Sequence, residues 1–153
     1  MLNFLNKASC QKITRKGFQR MFESLRKLRH LDLRECIGLT DMAIEHLCDS
    51  ARGQLIHLDI SWCSLITDTG MLHLSQFQQQ LFFLNLSIFD IISGGCAEIT
   101  DVSIGWICTT MSKLEYLNLC IFLVILALCE RLTDKSVEEI SKNLVNLRIL
   151  YLS

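Results

Sequence analysis

A strand-like segment followed by a helix-start signal occurs twice in succession, and this repeat constrains the fold more than any other feature of the chain. Residues 28–41 read LRHLDLRECIGLTD, and residues 55–68 read LIHLDISWCSLITD. Each copy begins with alternating apolar residues, the period of a half-buried strand, and ends on Thr-Asp, a common start of a helix. A strand and a helix that recur together predict a solenoid, in which each unit stacks on the next.

The same pattern continues through the whole chain when one cysteine per unit is taken as a reference. These cysteines are Cys10, Cys36, Cys63, Cys96 and Cys129, separated by 26, 27, 33 and 33 residues. Four residues after each of them stands a threonine: Thr14, Thr40, Thr67, Thr100 and Thr133. An aspartate follows in four units, at Asp41, Asp68, Asp101 and Asp134, and Arg15 takes its place in the first. The chain is therefore predicted to contain five units.

Residues after each Thr-Asp pair recur at helical spacing. The first set is Phe18, Ile44, Met71, Ile104 and Val137, and the second is Met21, Leu47, Leu74, Ile107 and Ile140. Two further sets complete the same face: Phe22, Cys48, Ser75, Cys108 and Ser141, then Leu25, Ala51, Gln78, Met111 and Leu144. This spacing predicts an amphipathic helix that covers its own strand. We expect the threonine or the aspartate to cap the helix, and the acidic group to favour the positive end of the helix dipole.

The last two units each contain seven additional residues between the strand leucine and the reference cysteine. Removal of residues 88–94 or of residues 121–127 restores the shorter spacing. We expect these two heptads to bulge from the loop between strand and helix and to contribute little to the core. The apolar second heptad could instead prolong its strand, and if exposed it would be prone to aggregation.

Composition limits the classes of function. The 153 residues are 50% hydrophobic, which is enough for the core of one domain. Fifteen basic and sixteen acidic residues give a formal charge of -1, and no basic face is evident, so we expect no nucleic-acid binding. The longest uninterrupted apolar run, residues 119–129, is shorter than the roughly 18 residues of a membrane span, and no signal peptide is evident. We therefore expect no membrane partner and an intracellular location, cytoplasmic or nuclear, with reduced thiols.

The recurring pattern C-x-x-[LI]-T-D-x-x-[LIMV]-x-x-[LI], followed by L-x-x-L-x-L, resembles the cysteine-containing subclass of leucine-rich repeats. The resemblance covers nearly the whole chain in register. It implies an α/β leucine-rich-repeat solenoid, a horseshoe with a parallel sheet on the concave side and helices on the convex side. Residues 1–153 would form a single domain of about five repeats with both ends uncapped, since the chain opens on a degenerate strand motif and closes on a strand with no helix after it.

This subclass of repeats occurs mostly in F-box and leucine-rich repeat proteins, whose repeats select substrates for a cullin-RING ubiquitin ligase while the F-box binds the adaptor. No F-box is visible, because the 27 residues before Leu28 already form a degenerate repeat and its helix. The resemblance thus implies the substrate-recognition portion of such a receptor, with the cullin-RING adaptor reached only through an F-box absent from this chain. The alternative is a structural scaffold or regulatory subunit that uses the same repeats without a ligase connection.

The cysteines and histidines give little indication of a metal or redox site. No C-x-x-C pair occurs, so we interpret the reference cysteines as buried packing thiols and expect Cys120 to be more exposed. His30 and His57 stand one unit apart beside Asp32 and Asp59, where a weak adventitious metal site is the alternative to solvated recognition residues. No nucleophile with a base and no phosphate loop stands out. We therefore predict no enzyme activity, no cofactor and no metal.

Strand alternation directs three rows of side chains outward from the predicted sheet. The first row contains His30, His57, Phe83, Tyr116 and Ile149, which Phe4 can precede, the second Asp32, Asp59, Asn85, Asn118 and Tyr151, and the third Arg34, Ser61, Ser87 and Cys120. Any one of these positions could be no more than a solvated strand residue. Aromatic rings beside carboxylates and amides on a rigid sheet are, however, typical of a protein-binding surface. We expect a protein substrate or scaffold partner here, with Phe83 and Tyr116 as anchors whose removal leaves stability nearly unchanged.

Overall fold

A computed structural model gives the fold and describes residues 3–90, 99–119, 121–123 and 132–152. The elements in chain order are β1 (Phe4–Asn6), α1 (Arg15–Glu23), β2 (His30–Asp32), α2 (Asp41–Ala51), β3 (His57–Asp59), α3 (Asp68–Phe77), β4 (Phe83–Asn85), β5 (Ile88–Asp90), α4 (Asp101–Thr110), β6 (Tyr116–Asn118), β7 (Ile121–Leu123), α5 (Asp134–Asn143) and β8 (Ile149–Tyr151). Units 1 to 5 begin at β1, β2, β3, β4 and β6. Within these ranges, no helix has the length and apolar character needed to cross a membrane.

Six strands form one parallel sheet in the order β1-β2-β3-β4-β6-β8. Their central residues are aligned leucines: Leu5, Leu31, Leu58, Leu84, Leu117 and Leu150. Each helix packs against the helices of the neighbouring units, from α1 through α5. The protein is therefore an α/β fold in which strand and helix alternate, as predicted, and each unit stacks on its neighbour in sequence.

The core lies where the predicted helix columns meet the strand leucines. Phe18, Ile44, Met71 and Ile104 of the first column are completely buried. The fifth member, Val137, is 47% exposed, so its assignment to the core is wrong. Ser141 is also exposed, although its equivalents in the other four units are buried. Among the described helices α5 packs only against α4, which leaves the side of α5 that bears these two residues uncovered.

Every helix begins directly after the threonine of its unit. Thr14, Thr40, Thr67, Thr100 and Thr133 occupy the N-cap position with an extended backbone. In α3, α4 and α5 the threonine hydroxyl oxygen accepts a hydrogen bond from the backbone N–H two residues later. The side chains of Thr14 and Thr40 make no such bond. The predicted capping role of the threonine is therefore confirmed for three of the five helices.

The aspartate after each threonine contacts the following unit. Oδ1 of Asp41 accepts from the backbone N–H groups of Thr67 (2.8 Å) and Gly70 (3.0 Å), and Oδ2 accepts from the Thr67 hydroxyl (2.7 Å). Both threonine bonds recur from Thr100 to Asp68 and from Thr133 to Asp101. In place of the Gly70 N–H, the hydroxyls of Ser103 and Ser136 donate to Oδ1 of Asp68 and Asp101. The carboxylate therefore lies at the start of its own helix and also fixes the start of the next helix.

Unit 1 lacks this carboxylate, because Arg15 occupies the aspartate position. The residue that would receive the contact is Thr40, whose Oγ1 is buried and has no hydrogen-bond partner. Leaving a buried hydroxyl unpaired costs free energy that a paired hydroxyl does not. The one departure from the Thr-Asp pattern thus has a structural consequence one unit later in the chain.

The two seven-residue insertions begin as strands. β5 and β7 pair in parallel with each other in a separate two-stranded sheet, with Ile88 opposite Ile121 and Phe89 opposite Phe122. Residues 88–90 and 121–123 are therefore strands, which the alternative of a prolonged strand anticipated for the second heptad only. The two insertions have equal length and lie at equivalent points of adjacent units. The flanking strands therefore keep their register, and the backbone groups of β5 and β7 can pair. Residues 91–94 and 124–127 lie outside the described part of the chain.

The reference cysteines pack at the ends of the strands. Cys36 and Cys63 are buried, and their thiols donate to the carbonyl oxygens of Lys7 (3.1 Å) and Leu33 (3.2 Å) in the preceding unit. Burial raises the pKa of the Cys63 thiol to about 12. The predicted packing role is confirmed for these two cysteines, and Cys10 is partly buried. Cys96, Cys120 and Cys129 lie outside the described residues.

Candidate functional site

The register of the sheet brings the predicted outward rows together. The first row runs Phe4, His30, His57, Phe83, Tyr116 and Ile149, and the second runs Asn6, Asp32, Asp59, Asn85, Asn118 and Tyr151. Successive members of a row lie on adjacent strands, which are about 4.8 Å apart. Side chains two residues apart on one strand share a face of the sheet. The predicted site residues of these rows therefore form one surface.

The first row is a stack of aromatic rings. The Phe83 ring lies 3.9 Å from the ring of His57 and 4.1 Å from that of Tyr116, and both pairs deviate from parallel by only 11°. His30 and Phe4 continue the row with tilted rings at 5.9 Å and 6.1 Å. Because neighbouring rings at the centre cover each other's faces, they present their edges to solvent. The result is a half-buried, rigid aromatic strip across the strands.

His57, at the centre of this strip, has a lowered pKa. Burial lowers the pKa of His57 and the adjacent His30 lowers it further, whereas the carboxylates of Asp59 and Asp32 act in the opposite direction. The net effect is a lowered pKa, so protonation requires a more acidic solution than it does for a solvated imidazole. A neutral ring is compatible with close stacking on Phe83. The lowered pKa therefore favours the uncharged imidazole at the centre of the strip.

The carboxylates of the second row are largely buried and are bound within the protein. Asp32 is 9% exposed and Asp59 is 7% exposed. The side-chain amide of Asn6 donates to Oδ2 of Asp32, and that of Asn85 donates to Oδ2 of Asp59, both at 3.0 Å. The prediction that these aspartates are solvated recognition residues is therefore wrong, because they are largely buried. They link neighbouring strands, because a buried carboxylate needs donors around it.

Side chains of the second row also form the turns in which their strands end. Oδ1 of Asp32 accepts from the backbone N–H of Arg34 (3.2 Å), and Oδ1 of Asp59 accepts from that of Ser61 (3.1 Å), the geometry of an Asx turn. Asn85 accepts in the same way from Ser87. Ser61 is only 3% exposed, and its hydroxyl donates to Asp59 at 2.6 Å. Ser61 therefore supports the turn, and its predicted place in the binding surface is wrong.

Arg34 is the accessible charged group of the third row, with 49% of its side chain exposed. Its Nε and Nη2 donate to Asp32 at 3.0 Å and 2.8 Å, and Nε lies 3.9 Å from Oδ2 of Asp59. The hydrogen bonds to Asp32, together with the charge of that carboxylate, raise the pKa of Arg34. The two aspartates thus hold the guanidinium beside the aromatic strip in a fixed orientation.

The two histidines that suggested a metal site take part in the ring row instead. Their ring centroids are 5.9 Å apart. The carboxylates beside them are occupied by Asn6, Asn85 and Arg34. No group of three or more His, Cys, Asp or Glu suited to a metal occurs in the part of the chain that the structure describes. The arrangement offers a surface for packing and hydrogen bonding.

Sequence reasoning missed Asn6, which lies in the first strand and donates to Asp32. The degenerate motif around Leu5 carries the signal, because aligning that leucine with Leu31 places Asn6 in the Asp32 row.

Family models and curated proteins were both compared with the chain, and neither comparison finds a match. The repeat pattern and the geometry of this surface are therefore the basis for a functional proposal.

Proposed function

We propose that the chain is a leucine-rich-repeat module that binds a protein partner on the exposed face of its six-stranded sheet. The observation that carries this proposal is the stack of His57, Phe83 and Tyr116, whose rings lie 3.9 Å and 4.1 Å apart. Aromatic side chains that are already packed lose little conformational freedom when a partner binds. Their edges provide apolar contact area, and Arg34 beside them provides a directed donor.

The proposal includes a horseshoe in which this sheet lines the concave side. Each unit contributes one strand to the six-stranded sheet and one helix to the other side. Neighbouring strands are about 4.8 Å apart, whereas packed helices need about 8–10 Å. A stack with strands on one side and helices on the other therefore curves toward its strands. A concave sheet surrounds a partner with rings from several units at once.

We also propose that the partner is a substrate selected for a cullin-RING ubiquitin ligase by a longer, F-box-type receptor. Support for this narrower role comes from the Cys…Thr-Asp repeat pattern, which recurs in five units with one substitution. The proposed activity is binding, with no catalytic step in this chain. Contact with the ligase adaptor would require an F-box outside these 153 residues.

A pull-down from cell extract tests the proposal, with the wild-type chain compared with the double variant Phe83→Ala and Tyr116→Ala. We expect the partner to be lost from the variant, because an aromatic anchor contributes roughly 1 to 4 kcal/mol to binding. The matched control is Phe77→Ala, which removes a 47% exposed ring from the helix layer. The same proteins recovered with the aromatic double variant would move the site away from the sheet face.

The same experiment needs a measurement of folding. The Phe83 ring contacts rings on both sides, so its removal should cost about 0.5 to 1.5 kcal/mol of stability per lost stacking contact, in contrast to the nearly unchanged stability expected from the sequence. Thermal unfolding establishes whether the variant is folded at the assay temperature. Recovery of the cullin adaptor with this chain alone would contradict the proposed dependence on an F-box.

A further inference from the structure

The overall charge of -1 conceals a strong separation of charge along the chain. Residues 1–34 contain nine Lys or Arg and two acidic residues, whereas residues 35–119 contain two Lys or Arg and ten acidic residues. The absence of a basic face, inferred from the total charge, is therefore wrong. A count along the chain would have located it, since asymmetry of charge between segments is a signal for a charged partner.

Unit 1 carries a basic surface of six exposed residues on and around its helix. We define this basic surface as Lys12, Arg15, Lys16, Arg20, Arg26 and Lys27, which lie on α1 and on the turns before and after it. All six side chains are exposed. The ion pairs found in the described residues involve Arg34, Lys142 and Arg148, and none includes a member of the basic surface. Glu23, which is bonded to Gln19, is the one acidic residue within the same stretch.

The basic surface lowers the stability of the fold. α1 has no acidic residue in its first turn, whereas each of the other four helices has an aspartate there. Arg15 and Lys16 oppose the helix dipole at this position, and six like charges repel each other. Arg15 also leaves the hydroxyl of Thr40 without an acceptor. Packing within the protein does not account for this arrangement, and a negatively charged partner would offset its cost.

We propose that the basic surface binds a short acidic segment of a protein partner. The surface is confined to one unit, because α1 has nine residues, a length of about 13 Å, and residues 35–119 of the following units are acidic. A nucleic acid or an anionic membrane would extend past unit 1 and meet those acidic units. A segment of a few Asp or Glu residues fits within the basic surface and avoids them.

The apolar side of α1 supports this choice of partner. Phe18 and Phe22 are completely buried against the rest of the protein, so this helix cannot insert an apolar face into a lipid layer. Contact with the basic surface is therefore electrostatic, and it involves residues that the aromatic strip does not include. The inference goes beyond the proposed function, and either can fail without the other.

Fluorescence anisotropy with a labelled oligoglutamate peptide tests the inference on the full chain at low ionic strength. We expect the wild-type chain to bind the peptide. The double variant Lys16→Glu and Arg20→Glu should lose affinity by a factor of about ten or more. Raising the salt concentration should weaken binding, because these charges are solvent-exposed. The variant Arg26→Glu and Lys27→Glu should show the same loss.

The matched control is Lys113→Glu and Lys135→Glu, which changes the net charge equally at exposed residues outside unit 1. This control should keep wild-type affinity. Equal loss in the control would overturn the inference, as would failure of the wild-type chain to bind the peptide. Tighter binding to a single-stranded oligonucleotide of equal charge, or to phosphatidylserine vesicles, would assign the surface to another class of partner and would also overturn it.

Discussion

The hydroxyl of Thr67 donates to Oδ2 of Asp41 at 2.7 Å, and the backbone N–H of Thr67 donates to Oδ1 at 2.8 Å. The two residues are 26 positions apart, and each lies at the start of its own helix. One carboxylate therefore joins the N-termini of two consecutive helices. The same relationship between Asp68 and Thr100, and between Asp101 and Thr133, makes the Thr-Asp pair a connection between units as well as a helix-start signal.

Replacement of two equivalent threonines by valine should destabilise the protein at one position and not at the other. Thr67→Val removes a hydroxyl that donates to Asp41 and accepts from Thr69, so we expect a cost of about 1 to 3 kcal/mol in the free energy of unfolding. Thr40→Val removes a buried hydroxyl without a partner, so stability should stay the same or rise by up to about 1 kcal/mol. Urea unfolding of the two variants measures both values. Equal destabilisation would contradict the role of the aspartate acceptor.

Acid should weaken the connection between α4 and α5. Burial acts to raise the pKa of Asp101, but the hydroxyls of Ser136 and Thr133 and the backbone N–H of Thr133 outweigh it, so the pKa lies below its ordinary value of 3.8. A lowered pKa means that the contribution to stability is present above pH 3.8 and is lost as the pH falls through the lower, folded-state pKa.

The variant Asp101→Asn isolates this effect. Wild type should be more stable than the variant at pH 7, and the difference should vanish in strong acid, as measured by thermal unfolding at a series of pH values. Asp134→Asn is the matched control, because Asp134 occupies the same position in α5 and makes no inter-unit hydrogen bond in the described part of the chain. A pH-independent difference for Asp101→Asn would contradict the assignment.

Alkaline solution should destabilise the protein through its buried thiols. Burial raises the pKa of Cys63 from 9.0 to about 12. The stability that the buried, neutral thiol contributes is fully present below pH 9.0. It is lost as the pH rises toward about 12, at about 1.4 kcal/mol per pH unit. Cys63→Ala should lose stability at pH 7 and should show a weaker decline between these pH values. A decline that is the same in both proteins would assign alkaline unfolding to other groups.

The effect of deleting one insertion should depend on whether the other is present. β5 pairs with β7 within the described sheets, so deletion of residues 88–94 alone leaves the backbone groups of β7 without their partner. Deletion of residues 88–94 together with residues 121–127 leaves neither strand unpaired. We therefore expect either single deletion to be less stable and more aggregation-prone than the double deletion, as measured by thermal unfolding and light scattering. Additive effects would show that the two strands are independent.

Gln78 should be a site where an apolar substitution stabilises the fold. Its side chain is completely buried, and neither Nε2 nor Oε1 has a hydrogen-bond partner. Burial raises the pKa of the nearby Cys48 thiol to about 12, and the Gln78 amide partly opposes this rise. Gln78→Met keeps the length of the side chain and removes the unpaired amide, so we expect a gain of about 1 to 3 kcal/mol. The exposed neighbour provides the control Gln79→Met, which should change stability little.

The sequence by itself determined the units of this protein. Its periodic leucines, threonines and aspartates predict the strands, the helix starts and most of the buried columns, because period and capping chemistry are local properties of the chain. The register of the aromatic row also follows from the repeat, since equivalent positions of adjacent parallel strands must align. The repeat therefore predicts that His57, Phe83 and Tyr116 lie side by side, and the strand register confirms it.

Only the tertiary structure decided which polar groups are free and which are already paired. Asp32 and Asp59 have the same outward position as the aromatic residues, yet Asn6, Asn85 and Arg34 surround their carboxylates. Asp41 has the sequence signature of a helix start, yet it binds a residue of the next unit. Val137 matches a buried column but is exposed, because no described helix covers its side of α5. The bonds from Asn6 to Asp32, from Asn85 to Asp59 and from Thr67 to Asp41 each join residues 26 positions apart, whereas periodicity depends on neighbours within one turn or one strand.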